Sequence, residues 1–241
     1  MPEVSKPKGK VLFLFPRSGT NLVLRLLESD EGGPRLPVIS DTPHPPIYKF
    51  LANPEDTAVV EEGDPLSVVH FGNDHDGRWA DWVSNLPSTW QVTAVVRDGR
   101  NCVASWHTIA PKSRFEDLCQ SWKSTAQTAL VCQRRHEGRL FQFETIAYDT
   151  VEGVAQILQY FGWEINRDLC EQKRTQLRTE EFRLRHSSFE NLEWNTRWYS
   201  WTVEQRRTFH AIAGLELMYL NYVDGDEWVE KDPPFGKKEE K

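Results

Sequence analysis

Three short polar groups, each placed just after an apolar run, are the residues of this chain best suited to chemistry. The first is the loop Arg17-Ser18-Gly19-Thr20-Asn21, which follows the run Val11 to Phe15 and Pro16. Gly19 permits close backbone approach, Ser18 and Thr20 offer hydroxyls, and Arg17 adds a fixed positive charge. An apolar helical pattern starts directly after the loop, so free N–H groups at a helix N-terminus would face the same spot. That is a cradle for a phosphate-like anion, although it lacks the Gly-x-x-x-x-Gly-Lys spacing of nucleoside-triphosphate loops. Taken alone it also reads as an ordinary strand-to-helix turn. The second group is Arg97 with Ser105. Arg97 closes the run Gln91 to Val96, and Ser105 falls about two turns into the next helical stretch. A planar guanidinium fork plus a hydroxyl suits a second phosphate. Alone, Arg97 and Arg100 fit a surface pair with Asp98 and nearby carboxylates just as well. The third is His70, which ends the short run Ser67 to Val69.

These positions share a logic if each apolar run is a strand. Strands are expected at residues 11–15, 67–69, 91–96 and 139–143, and helices at 19–29, 79–85, 101–107, 115–135 and 151–161. Gly162 stops the helix before it. A final helix begins at Thr202, whose Thr-Val-Glu-Gln205 sequence is a capping box, and runs to about Tyr219. Strands alternating with helices predict an α/β fold of three layers, a mostly parallel sheet flanked by helices. Ligands then gather at the carboxyl ends of the strands, where Arg17, His70 and Arg97 all fall.

The chain of 241 residues fits one such domain, expected over 10–228. Residues 1–9 and the charged tail 229–241 are expected to be flexible. The proline-rich stretch 30–65 is an irregular insert, which with 71–81 would line a substrate pocket. A net charge of −7 argues against nucleic acid as a partner, so any anion site must be a local basic cluster. No apolar run approaches membrane-spanning length. Cys102, Cys119, Cys132 and Cys170 have neither paired spacing nor a matching histidine pattern, which points to reduced thiols in a cytoplasmic protein. Several of the ten tryptophans cluster between Trp194 and Trp201, as core or as a wall for a flat ligand.

PRSGTN after one strand, with Arg-x7-Ser after a later one, resembles the sulfotransferases that use 3′-phosphoadenosine 5′-phosphosulfate (PAPS). The segments LFQFETIAYDTVEGVAQILQYFGW and SSFENLEWNTRWYSWTVEQRRTFHAIAGLELMYLNY agree with the same family, so the likeness spans Lys10 to Tyr222 apart from the insert. The resemblance implies a P-loop NTPase-like sulfotransferase fold. It implies that Arg17, Ser18, Gly19, Thr20 and Asn21 hold the 5′-phosphosulfate, and that Arg97 and Ser105 hold the 3′-phosphate, with Arg197 reaching back to it from a mobile loop. Leu22 stands where a stacking tryptophan often follows the loop, and Phe143 where some members place an adenine-side tyrosine. Trp194, Trp198 and Trp201 are the stacking candidates that remain.

The implied reaction is in-line transfer of a sulfuryl group to a hydroxyl or amine, leaving adenosine 3′,5′-bisphosphate. A sulfuryl group carries less charge than a phosphoryl group, so basic side chains suffice and no metal is expected. Arg17 would stabilise the departing bridging oxygen. His70 occupies the family's catalytic strand-end position, and an imidazole of ordinary pKa is mostly neutral in the cytoplasm and able to take the acceptor's proton. His75 or Asp74 could serve instead. The acceptor would be a small molecule or a carbohydrate. Two rival readings are a P-loop nucleotide or small-molecule kinase and a non-catalytic adenosine-bisphosphate-binding module.

Overall fold

Strand alternation in β1 (Lys10–Leu14) sets the architecture, because its side chains are buried on both sides. Val11 and Phe13 face one hydrophobic cluster, while Leu12 and Leu14 face another. This is a computed structural model that describes residues 10–15, 17, 23, 66–70, 78–162, 167–168, 171–172, 175 and 196–231, with the backbone alone at 66–70, 78 and 150. The loop residues 18–21, the insert 30–65, Asp74, His75, Cys170 and Trp194 lie outside the described residues.

Beside β1 run β2 (Leu66–His70) and β3 (Gln91–Val96), and β4 (Leu140–Gln142) completes a four-stranded sheet in the order β2-β1-β3-β4. All three pairings are parallel. Helices α1 (Arg78–Asn85), α2 (Gly99–Ile109), α3 (Phe115–Arg135) and α6 (Val203–Tyr219) contribute to the cluster on the Val11/Phe13 face. The other face is covered by α4 (Phe143–Tyr148) and α5 (Thr150–Tyr160), and by Val23, which is helical and fully buried. The result is the expected α/β fold, a parallel sheet between two helical layers.

Local chemistry explains most boundaries. The capping box at Thr202 is present: its hydroxyl accepts from the Gln205 N–H at 3.2 Å, and the Gln205 side chain accepts from the Thr202 N–H at 3.0 Å. Gly162 takes φ 78 just past α5, the left-handed conformation that favours glycine at a helix end. The fourth strand ends a residue sooner than its apolar run, and Phe143 opens α4 instead. At the other end of the domain, the chain remains packed to Lys231: Val229 is buried, and Arg206 Nη1 donates to the Lys231 carbonyl at 3.0 Å. The boundary expected at 229 therefore falls inside a turn held against α6. Cys102, Cys119 and Cys132 are buried free thiols. No described helix is long and apolar enough to cross a membrane.

Candidate functional site

The parallel register aligns the strand ends that matter. Leu14 pairs with His70 on one side and with Val95 on the other, so Arg17, His70 and Arg97 all follow one carboxyl edge of the sheet. His70 is described by its backbone alone. Asp98 caps the N-terminus of α2, accepting from the Arg100 N–H at 2.9 Å, and so starts the helix that carries Ser105.

Ser105 is the meeting point. Its Oγ accepts from Arg17 Nε at 3.0 Å and Nη2 at 2.8 Å, and from Arg197 Nη1 at 3.3 Å. Ser105 is 1% exposed, whereas Arg17 is exposed. Two guanidinium groups from opposite ends of the sequence thus converge on one neutral oxygen. Arg197 opens a 3-10 turn, Arg197–Ser200, that lies against α2.

Arg97 points at the first loop rather than away from it. Its Nη1 donates to the Arg17 carbonyl at 2.8 Å, and its guanidinium lies over the Phe143 ring at 5.1 Å. Arg17 has φ 64, a left-handed backbone that a side-chain-bearing residue adopts only when its surroundings hold it there. Arg97 is that hold. Cys102 lies underneath, its Sγ 3.8 Å from the same carbonyl, and burial pushes its thiol up to about 12.

Arg100 and Asp98 do not form the surface pair that their sequence spacing suggests. The pair is buried rather than on the surface: Arg100 Nη2 meets Asp98 Oδ2 at 2.7 Å with both side chains nearly covered, and Arg97 pairs elsewhere. Arg100 also lies over Trp198 at 4.4 Å and Trp228 at 5.1 Å. Trp198 and Trp201 are core residues, and Phe143 is 2% exposed beneath Arg97.

Glu144 and Tyr222 join the site without having been singled out by sequence. Glu144 Oε1 accepts from the Asp98 N–H at 3.0 Å, and Oε2 accepts from the Tyr222 hydroxyl at 3.0 Å. Burial pushes the Glu144 carboxyl up to about 7, and the Asp98 charge adds to the rise. Burial, then Glu144 and Asp98, hold the Tyr222 hydroxyl well above its ordinary value. An acidic residue directly after a strand, in Phe-Gln-Phe-Glu, was the available signal for Glu144. Among the described residues no cluster of three or more His, Cys, Asp or Glu could hold a metal ion.

No protein-family model matches the chain, and no curated protein matches it by sequence. Among solved structures, the sulfotransferase domain from the Synechococcus PCC 7002 olefin synthase is similar in fold. The two share 15% identity at a TM-score of 0.53, over 87% of this chain and 98% of that one.

Proposed function

We propose that a protein with this sulfotransferase-like fold transfers a sulfuryl group from PAPS to a hydroxyl or amine of a small-molecule or carbohydrate acceptor. The observation that carries the reading is the convergence of Arg17 and Arg197 on Ser105, with Arg97 holding the Arg17 carbonyl. Guanidinium forks and a hydroxyl match the oxygens of phosphate and sulfate, and they need no proton exchange to bind them.

In this reading Arg97, Ser105 and Arg197 hold the 3′-phosphate, and the loop from Arg17 to Asn21 holds the 5′ end. The acceptor oxygen forms its bond to sulfur as the bond from sulfur to the bridging oxygen breaks. Arg17 stabilises charge on that departing oxygen, and His70 takes the acceptor's proton. The products are the sulfated acceptor and adenosine 3′,5′-bisphosphate. With a sulfuryl group the guanidinium groups carry the electrostatic load, and the mechanism calls for no metal.

A thermal-shift titration tests the donor site without the acceptor. Adenosine 3′,5′-bisphosphate should raise the melting temperature at concentrations where AMP and ATP with Mg²⁺ do not. Stabilisation by ATP and Mg²⁺ alone would decide for a kinase. Once an acceptor is in hand, His70→Ala should lower turnover by about 100-fold or more while bisphosphate affinity holds. Unchanged turnover would remove His70 from the mechanism.

A further inference from the structure

Arg100 is held by a carboxylate and two indoles, and its charge faces inward. Its Nε donates to both Asp98 oxygens at 3.0 and 3.1 Å and its Nη2 to Oδ2 at 2.7 Å, while the Trp198 and Trp228 rings lie within 4.4 and 5.1 Å of its Cζ. The two indoles meet edge to face at 5.6 Å. A guanidinium so neutralised is no ligand for an arriving anion. It does hold Trp198, and Trp198 directly follows Arg197, the residue that donates to Ser105 at 3.3 Å.

We propose that Arg100 is a positioning residue for the anion site: its stack on Trp198 fixes the 3-10 turn so that Arg197 stands over Ser105. Helix α2 then grips the turn twice, through Arg100 in its first turn and Ser105 in its second. The planar group is required because one fork must meet the Asp98 carboxylate along its edge while its central carbon lies over the Trp198 ring. A lysine ammonium offers the charge without the plane. The Asp98 N–H bound to Glu144 fixes the other side of the pair. The inference about ligand affinity rests on reading the Ser105 cluster as a bisphosphate site, whereas the inference about the turn does not.

The test uses the full chain with Arg100→Lys, Arg197→Ala and the double variant, titrated calorimetrically with adenosine 3′,5′-bisphosphate. Amide hydrogen exchange is followed at Tyr199 and Trp201, whose N–H groups bond Thr196 and Trp198 carbonyls at 2.9 Å. Arg100→Lys should weaken binding by about the same factor as Arg197→Ala, roughly 5- to 20-fold, and the double variant no further. The two amides should lose protection in Arg100→Lys while α6 keeps its own. A merely structural role would instead loosen α6 as well, or give losses that multiply, and either result overturns the proposal. So does wild-type affinity with protected turn amides. If Arg100→Lys does not fold, Trp198→Phe replaces it, with the same expected pattern and the same refutations. Wild-type protein that ignores the bisphosphate refutes the donor reading alone; the exchange measurement then decides the clamp by itself.

Discussion

Glu144 should make the fold less stable as pH rises through neutrality, and Glu144→Gln should abolish that dependence. The carboxyl is moved from 4.5 to about 7, first by burial and then by the neighbouring Asp98 charge, against the opposing pull of the Asp98 N–H and Arg97. A folded-state pKa above the unfolded value means that the native protein binds the extra proton. Its contribution is therefore complete below about pH 4.5 and is lost as pH rises through about 7. The full difference amounts to about 3 kcal/mol, at 1.36 kcal/mol for each tenfold change. Most of it is lost between about pH 5 and about pH 8. In a domain of this size that corresponds to a melting temperature lower by roughly 6–12 °C at the alkaline end.

The assay is thermal or urea unfolding of wild type and Glu144→Gln across that range. Glutamine keeps one oxygen to accept from the Asp98 N–H and turns an NH2 donor toward the Tyr222 oxygen, as a protonated carboxyl would turn its O–H. It does not ionise, so the difference between the two curves isolates this carboxyl from every other group that titrates alongside. The curves should converge at low pH, and wild type should fall below the variant above neutrality. Parallel curves would overturn the expectation, because they would mean that the carboxyl is as well solvated in the native state as in the unfolded chain.

Three further substitutions probe the site and its support. Arg97→Ala should weaken adenosine 3′,5′-bisphosphate binding by ~10- to 100-fold and Ser105→Ala by about 5-fold, measured by calorimetry, since hydrogen bonds to charged groups are the stronger ones; unchanged affinity in both would retire their role. Gly99→Ala should lower stability by about 2–3 kcal/mol in urea unfolding, because a Cβ there would lie 2.4 Å from the buried Trp122 ring, and overpacking a filled core forces its neighbours to shift. A change below ~0.5 kcal/mol would show that the ring moves aside freely.

Strands β1 and β3 were legible in the sequence because they are buried on both faces and so read as continuous apolar runs. β3 has the expected bounds, while β1 and β2 begin a residue or so earlier, where Lys10 and Leu66 still pair across the sheet. The long helix 115–135 was legible for the matching reason: Leu118, Trp122, Ala126 and Ala129 repeat on its buried face. What stayed hidden is long-range. Phe143 continues an apolar run and reads as strand, yet the chain turns into α4 there, and the next residue, Glu144, is tied to the Asp98 backbone. Arg100 two residues from Asp98 was recognisable as a pair, but its burial depends on Trp198 and Trp228, which no local pattern connects to it. Arg97 and Ser105 were singled out by their spacing and by the family resemblance that it carries. Their division of labour, one holding the loop backbone and the other receiving two guanidinium groups, needed coordinates.

That division bears on how an anion would be received. Through the Ser105 oxygen, the bonding nitrogens of Arg17 and Arg197 lie 2.8 and 3.3 Å from a common point, hence at most about 6 Å apart. At an effective dielectric of about 20, two like charges at that separation repel by about 3 kcal/mol, taken pairwise. The repulsion is borne by the rest of the fold, because each arginine is anchored through its backbone: the Arg17 carbonyl by Arg97, and the segment after Arg197 by Trp198 on Arg100. A sulfuryl donor with its 3′-phosphate on Arg197 and Ser105 and its 5′ end at Arg17 would set an attraction against that repulsion at each guanidinium without moving either anchor. The donors are then already in position, so little ordering is left for binding to supply. In a chain of net charge −7, long-range attraction does not favour anions, so any selectivity for them would have to come from a local arrangement such as these forks around one hydroxyl.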